Sequence, residues 1–426
     1  MMSQEGAGSQ VQSMDRKQCV AYALANNPDL ENTRLETGIA ELENAINLAA
    51  WKPIVGVTGG LTNNWKQQVT IFPDFNNPGE TREVVLGQAW TSNLGVAVNQ
   101  LLYSPEIIRD RNLQSANLQA AELIIETAEL DLKADVSTAF YQALRVEEQI
   151  VLARSDIERL ERNLRDARLF FDEGIVDKVD YKRATIALNQ ARANLASSLL
   201  NLESRKAELK AVMGYPVEGG LLLMYDYDEL AAIIQQDTTV ALNPQLRPEL
   251  AAVTVRQEQQ DLQTDYLRRA WMPTVGLQGS YTYNWLAQNF GELYNRAFPA
   301  GLVNLNLTIP LFNGGARFRS VERATILSEG LDYEEEAIRL RINREYAVAD
   351  NNYRAGRVNY VVAAENVELA KEIYDVVRLQ YREGIEPFLE VVIAENDLRT
   401  SQNRALNALM EAVIARVALL RAAGRI

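Results

Sequence analysis

Histidine is absent from this 426-residue chain, cysteine occurs once, and no apolar run reaches the length of a membrane-spanning helix. The missing histidine removes the usual general base, triad member and zinc ligand, so no catalytic centre, cofactor site or metal site is expected. Cys19 has no partner for an internal disulfide, and it sits in RKQCV without the apolar run of a lipoprotein signal. The opening MMSQEGAGSQVQSM has no apolar core, so no signal peptide is expected in it. Without a long apolar run, any membrane crossing has to use β-strands. Positive charge is also short: 43 Lys and Arg stand against 57 Asp and Glu, a formal net charge of −14. Such a chain repels phosphate backbones, and no nucleic-acid partner is expected. What remains is ordinary, 47% apolar and 23% charged, which excludes a disordered or disulfide-stapled chain.

The chain is one unit written twice. AWKPIVGVTGGLTNNW (50–65) recurs as AWMPTVGLQGSYTYNW (270–285), and NLGVAVNQLLY (93–103) as LVNLNLTIPLF (302–312). FFDEGIVDKVDY (170–181) recurs as QYREGIEPFLEV (380–391), and ALANNPDL (23–30) more loosely as ALNPQLRPEL (241–250). A nearly constant offset over four blocks marks a tandem duplication. Each copy reads helix, strand, loop, strand, very long helix, tight turn, helix.

The long helices carry heptads. Val136, Ala143, Ile150, Ile157, Leu164 and Phe171 fall seven apart, as do Tyr346, Tyr353, Tyr360, Val367, Tyr374 and Tyr381. Small residues such as Ala349, Gly356 and Ala363 accompany the tyrosines, a large-into-small coiled-coil seam rather than a ligand track. A helix over 104–172 would be roughly 100 Å long at 1.5 Å per residue. Two faces of small residues fit a closed ring of helices or a simple antiparallel bundle equally well. Gly174 and Gly384 follow the last heptad residues, where a left-handed cap favours glycine; Asp177 and Pro387 suit the next helix starts. These are helical-hairpin tips.

Between the helices lie alternating segments. Val55, Val57, Gly59 and Leu61 share one face in the first, and Val275, Leu277, Tyr281 and Tyr283 in its copy; the other faces are small, neutral and polar. The pattern fits a half-buried soluble sheet or a membrane barrel with a wet interior. Two features favour the barrel: the polar faces carry no charge, and all five tryptophans, Trp51, Trp65, Trp90, Trp271 and Trp285, lie at or beside strand ends, as an aromatic girdle would. Four strands cannot close a barrel, and an open sheet in lipid leaves costly unpaired edges. Several chains would therefore have to share one.

With the duplicated layout, Pro53 and Pro273 before the strands, IPLFNGGARFRSVERA (309–324) and the tips FDEGIVDKVDYKRATIALNQARANL (171–195) and YREGIEPFLEVVIAENDL (381–398), the chain resembles TolC-like outer-membrane efflux proteins. That resemblance spans about 18–424. It implies an α+β membrane protein: a homotrimer with one twelve-stranded outer-membrane β-barrel, continued by a periplasmic α-helical coiled-coil barrel. The expected division is a flexible segment 1–17, a first repeat 18–213, an equatorial linker 214–240 and a second repeat 241–426. The first repeat has strands 54–66 and 91–103, long helix 104–172, tip 174 and return helix 178–213. The second has strands 274–286 and 302–312, long helix 314–382, tip 384 and return helix 387–424.

The resemblance further implies a passive export duct in the cell outer membrane, working with a periplasmic adaptor (membrane fusion) protein and an inner-membrane pump. An ABC exporter in a type I protein-secretion system would use the same architecture. Outer-membrane lipid would surround the barrel. Gly174, Ile175, Gly384 and Ile385 match the tips at which family members dock adaptors, and Asp180 and Glu390 match acidic positions at the periplasmic entrance. A further acidic gate position falls on Ile393, which lacks the charge. Asp180 and Glu390 also read as first-turn acids stabilised by a helix dipole. The rival outside transport is a soluble, elongated coiled-coil scaffold; no enzymatic constellation is present.

Overall fold

The computed structural model describes residues 11–73, 79, 81–174, 177–236 and 240–426. The first copy contains β1 (Gln12–Met14), α1 (Arg16–Asn26), α2 (Pro28–Ala49), β2 (Ile54–Asn63), β3 (Gln68–Pro73), β4 (Thr81–Leu86), β5 (Trp90–Tyr103), α3 (Pro105–Asp172) and α4 (Lys178–Met213). Then come β6 (Leu221–Leu223) and α5 (Tyr227–Gln235). The second copy contains α6 (Pro248–Arg269), β7 (Thr274–Ala287), β8 (Ala297–Thr308), α7 (Ala316–Arg382) and α8 (Phe388–Ala422). Among the described residues no helix is long and apolar enough to cross a membrane.

The chain forms two compact units, and neither is a sequence repeat. One gathers the described residues of Met1–Glu36, Glu122–Thr254 and Tyr333–Ile426; the other gathers Thr37–Ala121 and Val255–Asp332. Each unit takes corresponding stretches from both copies, because the duplicated elements pack like against like.

The first unit is helical. Its main core joins Cys19 and Ala23 of α1, Phe140 and Leu144 of α3, Leu209 and Met213 of α4, Ile234 of α5 and Leu406, Leu409 and Met410 of α8. Full burial of one such Leu contributes about 1.5–3 kcal/mol. The tyrosine seam is buried as packing: Tyr353, Tyr360, Tyr374 and Tyr381 are all in the core. A Cβ on Gly356 would stand 3.0 Å from the Ala412 Cα, the close approach of α7 and α8 that small residues permit.

The duplication also repeats a lock. The buried Asn27 amide donates to the Val212 carbonyl at 2.8 Å, while the Arg247 guanidinium donates to the Ala422 carbonyl at 3.0 Å. In each copy the end of the return helix is thereby tied to the residue just before the helix that leads into the sheet, α2 in the first copy and α6 in the second. Arg247, itself buried, is neutralised by Glu249 at 2.6 Å and Glu345 at 3.0 Å. Burial opposes the Glu249 charge, yet the Arg247 hydrogen bonds hold its carboxyl below the ordinary range.

Several expected boundaries change. Residues 11–17 are not a loose arm: β1 pairs parallel with β6, and Asp15 and Gln18 form a capping box on α1. The 214–240 stretch is not a plain connector, because it supplies β6 and the α5 helix, whose Ile234 is buried. Asp177 is the N-cap of α4 without a side-chain cap bond, and Pro387 is the N-cap of α8, one place before its first turn.

The second unit holds a four-stranded antiparallel sheet in the order β2-β5-β7-β8. Its last strand spans Ala297–Thr308 rather than 302–312. Thr308 already faces Thr274, the first residue of β7, and Pro310 beyond it has no N–H to extend the ladder. β2 likewise ends at Asn63, where the chain turns into the separate β3-β4 hairpin.

Candidate channel-forming surfaces

The sheet register decides which side chains share a face. Val55 stands opposite Val98, Val98 opposite Gly279, and Gly279 opposite Val303. The next row on that face is Val57, Val96, Tyr281 and Gly301, and Leu277 with Leu305 and Val275 with Leu307 extend it. The opposite face carries Asn99, Gln278 and Asn304 in one row and Gly95, Thr282 and Ala300 in another. The chain thus builds one mainly apolar face, interrupted by Ser92 and Gln100, and one mainly neutral polar face, which also carries Ile54, Phe298 and Leu302, from strands distant in sequence.

Nothing within the described chain covers the apolar face at the edge strands. Val57 is 70% exposed and Val303 80%. A soluble sheet buries such a face against a second layer. The edges are equally open: β2 and β8 each have one neighbour, and alternation through β5 and β7 leaves them antiparallel to each other. An edge of one copy can therefore continue the ladder of another without reversing direction.

The register also sorts the tryptophans. Trp51 and Trp271 precede β2 and β7 at the helix end of the sheet. Trp90 faces Asn63 and Ala287 at the hairpin end, Trp285 faces Ser92 and Ala297 there, and Trp65 lies just past β2. Trp90 and Trp285 contact Phe290 and Tyr294 of the loop between β7 and β8, with ring centroids 4.9 and 5.5 Å apart.

Both hairpin tips lie in the helical unit. Gly174 has φ +78° and Gly384 φ +75°, the left-handed conformation their positions demand. At the second tip, the Ile385 N–H donates to the Gln380 carbonyl at 2.9 Å and the Gly384 N–H to Tyr381 at 3.0 Å, a Schellman closure. Ile385 is 70% exposed; Ile175 lies outside the described residues. Glu390 is exposed in the first turn of α8, while Asp180, in the first turn of α4, is half-buried. Tyr381 sits between Phe170 and Phe388, and burial, with the fields of Asp180 and Asp166 added, pushes its hydroxyl up to about 12.

A polar cluster that heptad reading passes over lies between α3 and α8. Arg159 pairs with Asp156, donates to Gln402 at 3.2 Å, and stands 3.9 Å from Glu395. All three charged groups are buried. Burial and the nearby Asp156 charge push the Glu395 carboxyl above the ordinary range, with Arg159 and Arg399 opposing. The sequence signal was weak: the Asp156 and Arg159 spacing is that of any surface helix pair, and nothing local indicates that α8 covers it.

The sequence model of the family described as "Outer membrane efflux protein" matches residues 20–215 and 243–425. The chain belongs to that family. It is 22% identical over 417 residues to the outer membrane efflux protein BepC of Brucella suis, covering 95% of this chain and 84% of the relative. Over 393 residues it is 22% identical to the alkaline protease secretion protein AprF of Pseudomonas aeruginosa, covering 89% and 78%. Among solved structures, the CusC channel superposes with TM-score 0.75 at 16% identity, covering 98% of this chain and 94% of that one. The fold is therefore that of the CusC channel, mostly helical with a small sheet, and the chain is an outer-membrane efflux protein by its family. Both sequence matches, 20–215 and 243–425, correspond to the two copies.

Proposed function

We propose that three copies of this chain form the exit duct of a tripartite efflux system. Their four-stranded sheets join edge to edge into a twelve-stranded outer-membrane barrel, and their long helices line a periplasmic tunnel. One observation carries this reading: an uncovered apolar sheet face bounded by two mutually antiparallel free edges. In lipid the face is satisfied by acyl chains, and closure satisfies the edges. Twelve antiparallel strands are an even number, so every edge meets a complementary one. The polar face, rich in Asn, Gln, Thr and Gly, then lines a wet bore. Trp51 and Trp271 form one aromatic girdle, and Trp65, Trp90 and Trp285 the other.

The tips, with Gly174, Ile175, Gly384 and Ile385, serve as the docking surface for a periplasmic adaptor. Asp180 and Glu390, repeated three times, place a ring of carboxylates at the entrance that favours cations and resists anions. Transport is passive; an inner-membrane pump supplies the energy and the cargo, small toxic molecules. The similarity to AprF supports a second reading, the duct of a type I protein-secretion system with an ABC exporter. Deleting the chain's gene and measuring drug accumulation beside protein secretion separates them. Raised accumulation supports efflux, lost secretion supports the second reading, and neither change removes both.

A further inference from the structure

None of the residues in β2, β5, β7 and β8 is Asp, Glu, Lys or Arg. Arg296, one place before β8, brings a charge to the hairpin end of this uncharged sheet. Its guanidinium carbon lies 4.9 Å from the centroid of the Phe298 ring. Phe298 faces Asn284 in the register, which puts it on the polar face of the sheet, and Arg296, two places earlier, shares that face. Trp285 faces Ala297, so Leu286 and Arg296 come next on their strands and adjoin each other there.

Three apolar side chains on this face are uncovered: Leu286 is 45% exposed, Phe298 38% and Leu302 54%. Lipid does not account for them, because acyl chains meet the opposite face. Arg296 is exposed and makes no ion pair with a carboxylate among the described residues, Glu292 included. Stacking on the Phe298 ring holds the guanidinium while leaving its N–H donors free. A guanidinium with free donors beside uncovered apolar side chains matches an organic anion with an apolar body. An inorganic anion would leave Leu286 and Phe298 in water, and an organic cation would be repelled by Arg296.

We propose that Arg296, Phe298 and Leu286 form a cargo-binding site for amphipathic organic anions at the hairpin end of the bore. The anionic group pairs with Arg296, and the apolar body lies against Phe298 and Leu286. Leu302 continues the apolar track towards the middle of β8. This inference rests on the duct reading, and deepens it by naming a class of cargo and the place where it is held. The two ends of the duct then differ in sign: an anion that the pump has driven past the entrance carboxylates meets its counter-charge on leaving.

The test is single-channel recording from the full-length oligomer in planar bilayers, with 1-naphthalenesulfonate as the probe. The probe should block the current in a concentration-dependent way. Methanesulfonate, which lacks the ring, and 1-naphthylmethylammonium, which carries the opposite charge, should each act about five-fold more weakly or less. Arg296→Gln should weaken the block about five-fold, the upper end for an exposed ion pair, and move the reversal potential in a KCl gradient towards cation selectivity. Phe298→Ala should weaken the block about three-fold or more and leave the reversal potential in place. Arg319→Gln, on an exposed side chain of α7 at the other end of the sheet, should change neither. Equal block of wild type and Arg296→Gln would overturn the proposal. So would equal action of the two sulfonates, which would leave a charged ring without an apolar subsite; in both cases the conducting steps keep the duct reading standing. A protein that gives no conducting steps at all would sink the duct reading, and this site with it.

Discussion

Val303 and Asn304 are adjacent in β8 and point to opposite faces of the sheet. Val303 lies in the row Val55–Val98–Gly279–Val303, at the middle of its strand and 80% exposed, while Asn304 faces Gln278 in the neutral polar row. If the apolar face meets lipid, Val303→Arg puts a guanidinium near the bilayer midplane. That costs about 2–4 kcal/mol per site, and the three sites of a trimer add about 6–12 kcal/mol. Asn304→Arg projects into a water-filled bore, where the same charge is hydrated and costs about nothing beyond local crowding. The assay is the yield of heat-resistant oligomer recovered from outer membranes at matched expression. Val303→Arg should lower it more than ten-fold, and Asn304→Arg should stay within about two-fold, each ten-fold step being about 1.4 kcal/mol. Equal losses from both variants, or the larger loss from Asn304→Arg, would refute the assignment of faces.

Other consequences are equally direct. Glu390→Ala should raise single-channel conductance or weaken cation block in planar bilayers, since it removes a carboxylate repeated around the entrance; unchanged records would remove its gating role. The Glu395 carboxyl has a folded pKa raised by burial and by Asp156, so the folded state binds its proton more tightly than the unfolded state does. Stability from this group therefore falls as pH rises from the ordinary glutamate value through the raised one. Glu395→Gln should flatten that part of the thermal-stability profile, and an unaltered slope would contradict the assignment. Gly214 and Gly384 share the left-handed conformation, at φ +69° and +75°, but only at Gly214 would a Cβ strike backbone, 2.5 Å from the Asn26 oxygen. Alanine should cost about 1–2 kcal/mol at Gly384 and about 2–5 kcal/mol at Gly214, read as melting in detergent, with equal shifts counting against the packing described.

Much of this was legible in the sequence because it is periodic. Val136, Ala143 and Ile150 recur every seven residues and are buried; Val55 and Val57, two residues apart in a strand, share a face. What stayed hidden has no period. The pairing of Gln12–Met14 with Leu221–Leu223 joins two three-residue strands about two hundred positions apart, too short to announce themselves. Arg247 reads as an ordinary loop arginine until Glu249, Glu345 and the Ala422 carbonyl converge on it. Sequence also located the tips by their glycines, since Gly174 and Gly384 need positive φ, and put Tyr381 in the packed seam, but could not tell that its ring neighbours would be Phe170 and Phe388. The repeat boundaries, clear as sequence, do not bound compact units, because packing follows similarity of elements and not their order along the chain.

Sheet closure between copies is measured most directly by determining the protein's mass in detergent and then recording from the same sample in a planar bilayer. Three times 47.8 kDa, with discrete conducting steps after insertion, is the expected result. A monodisperse 47.8 kDa particle stable in plain buffer and silent in bilayers would contradict it.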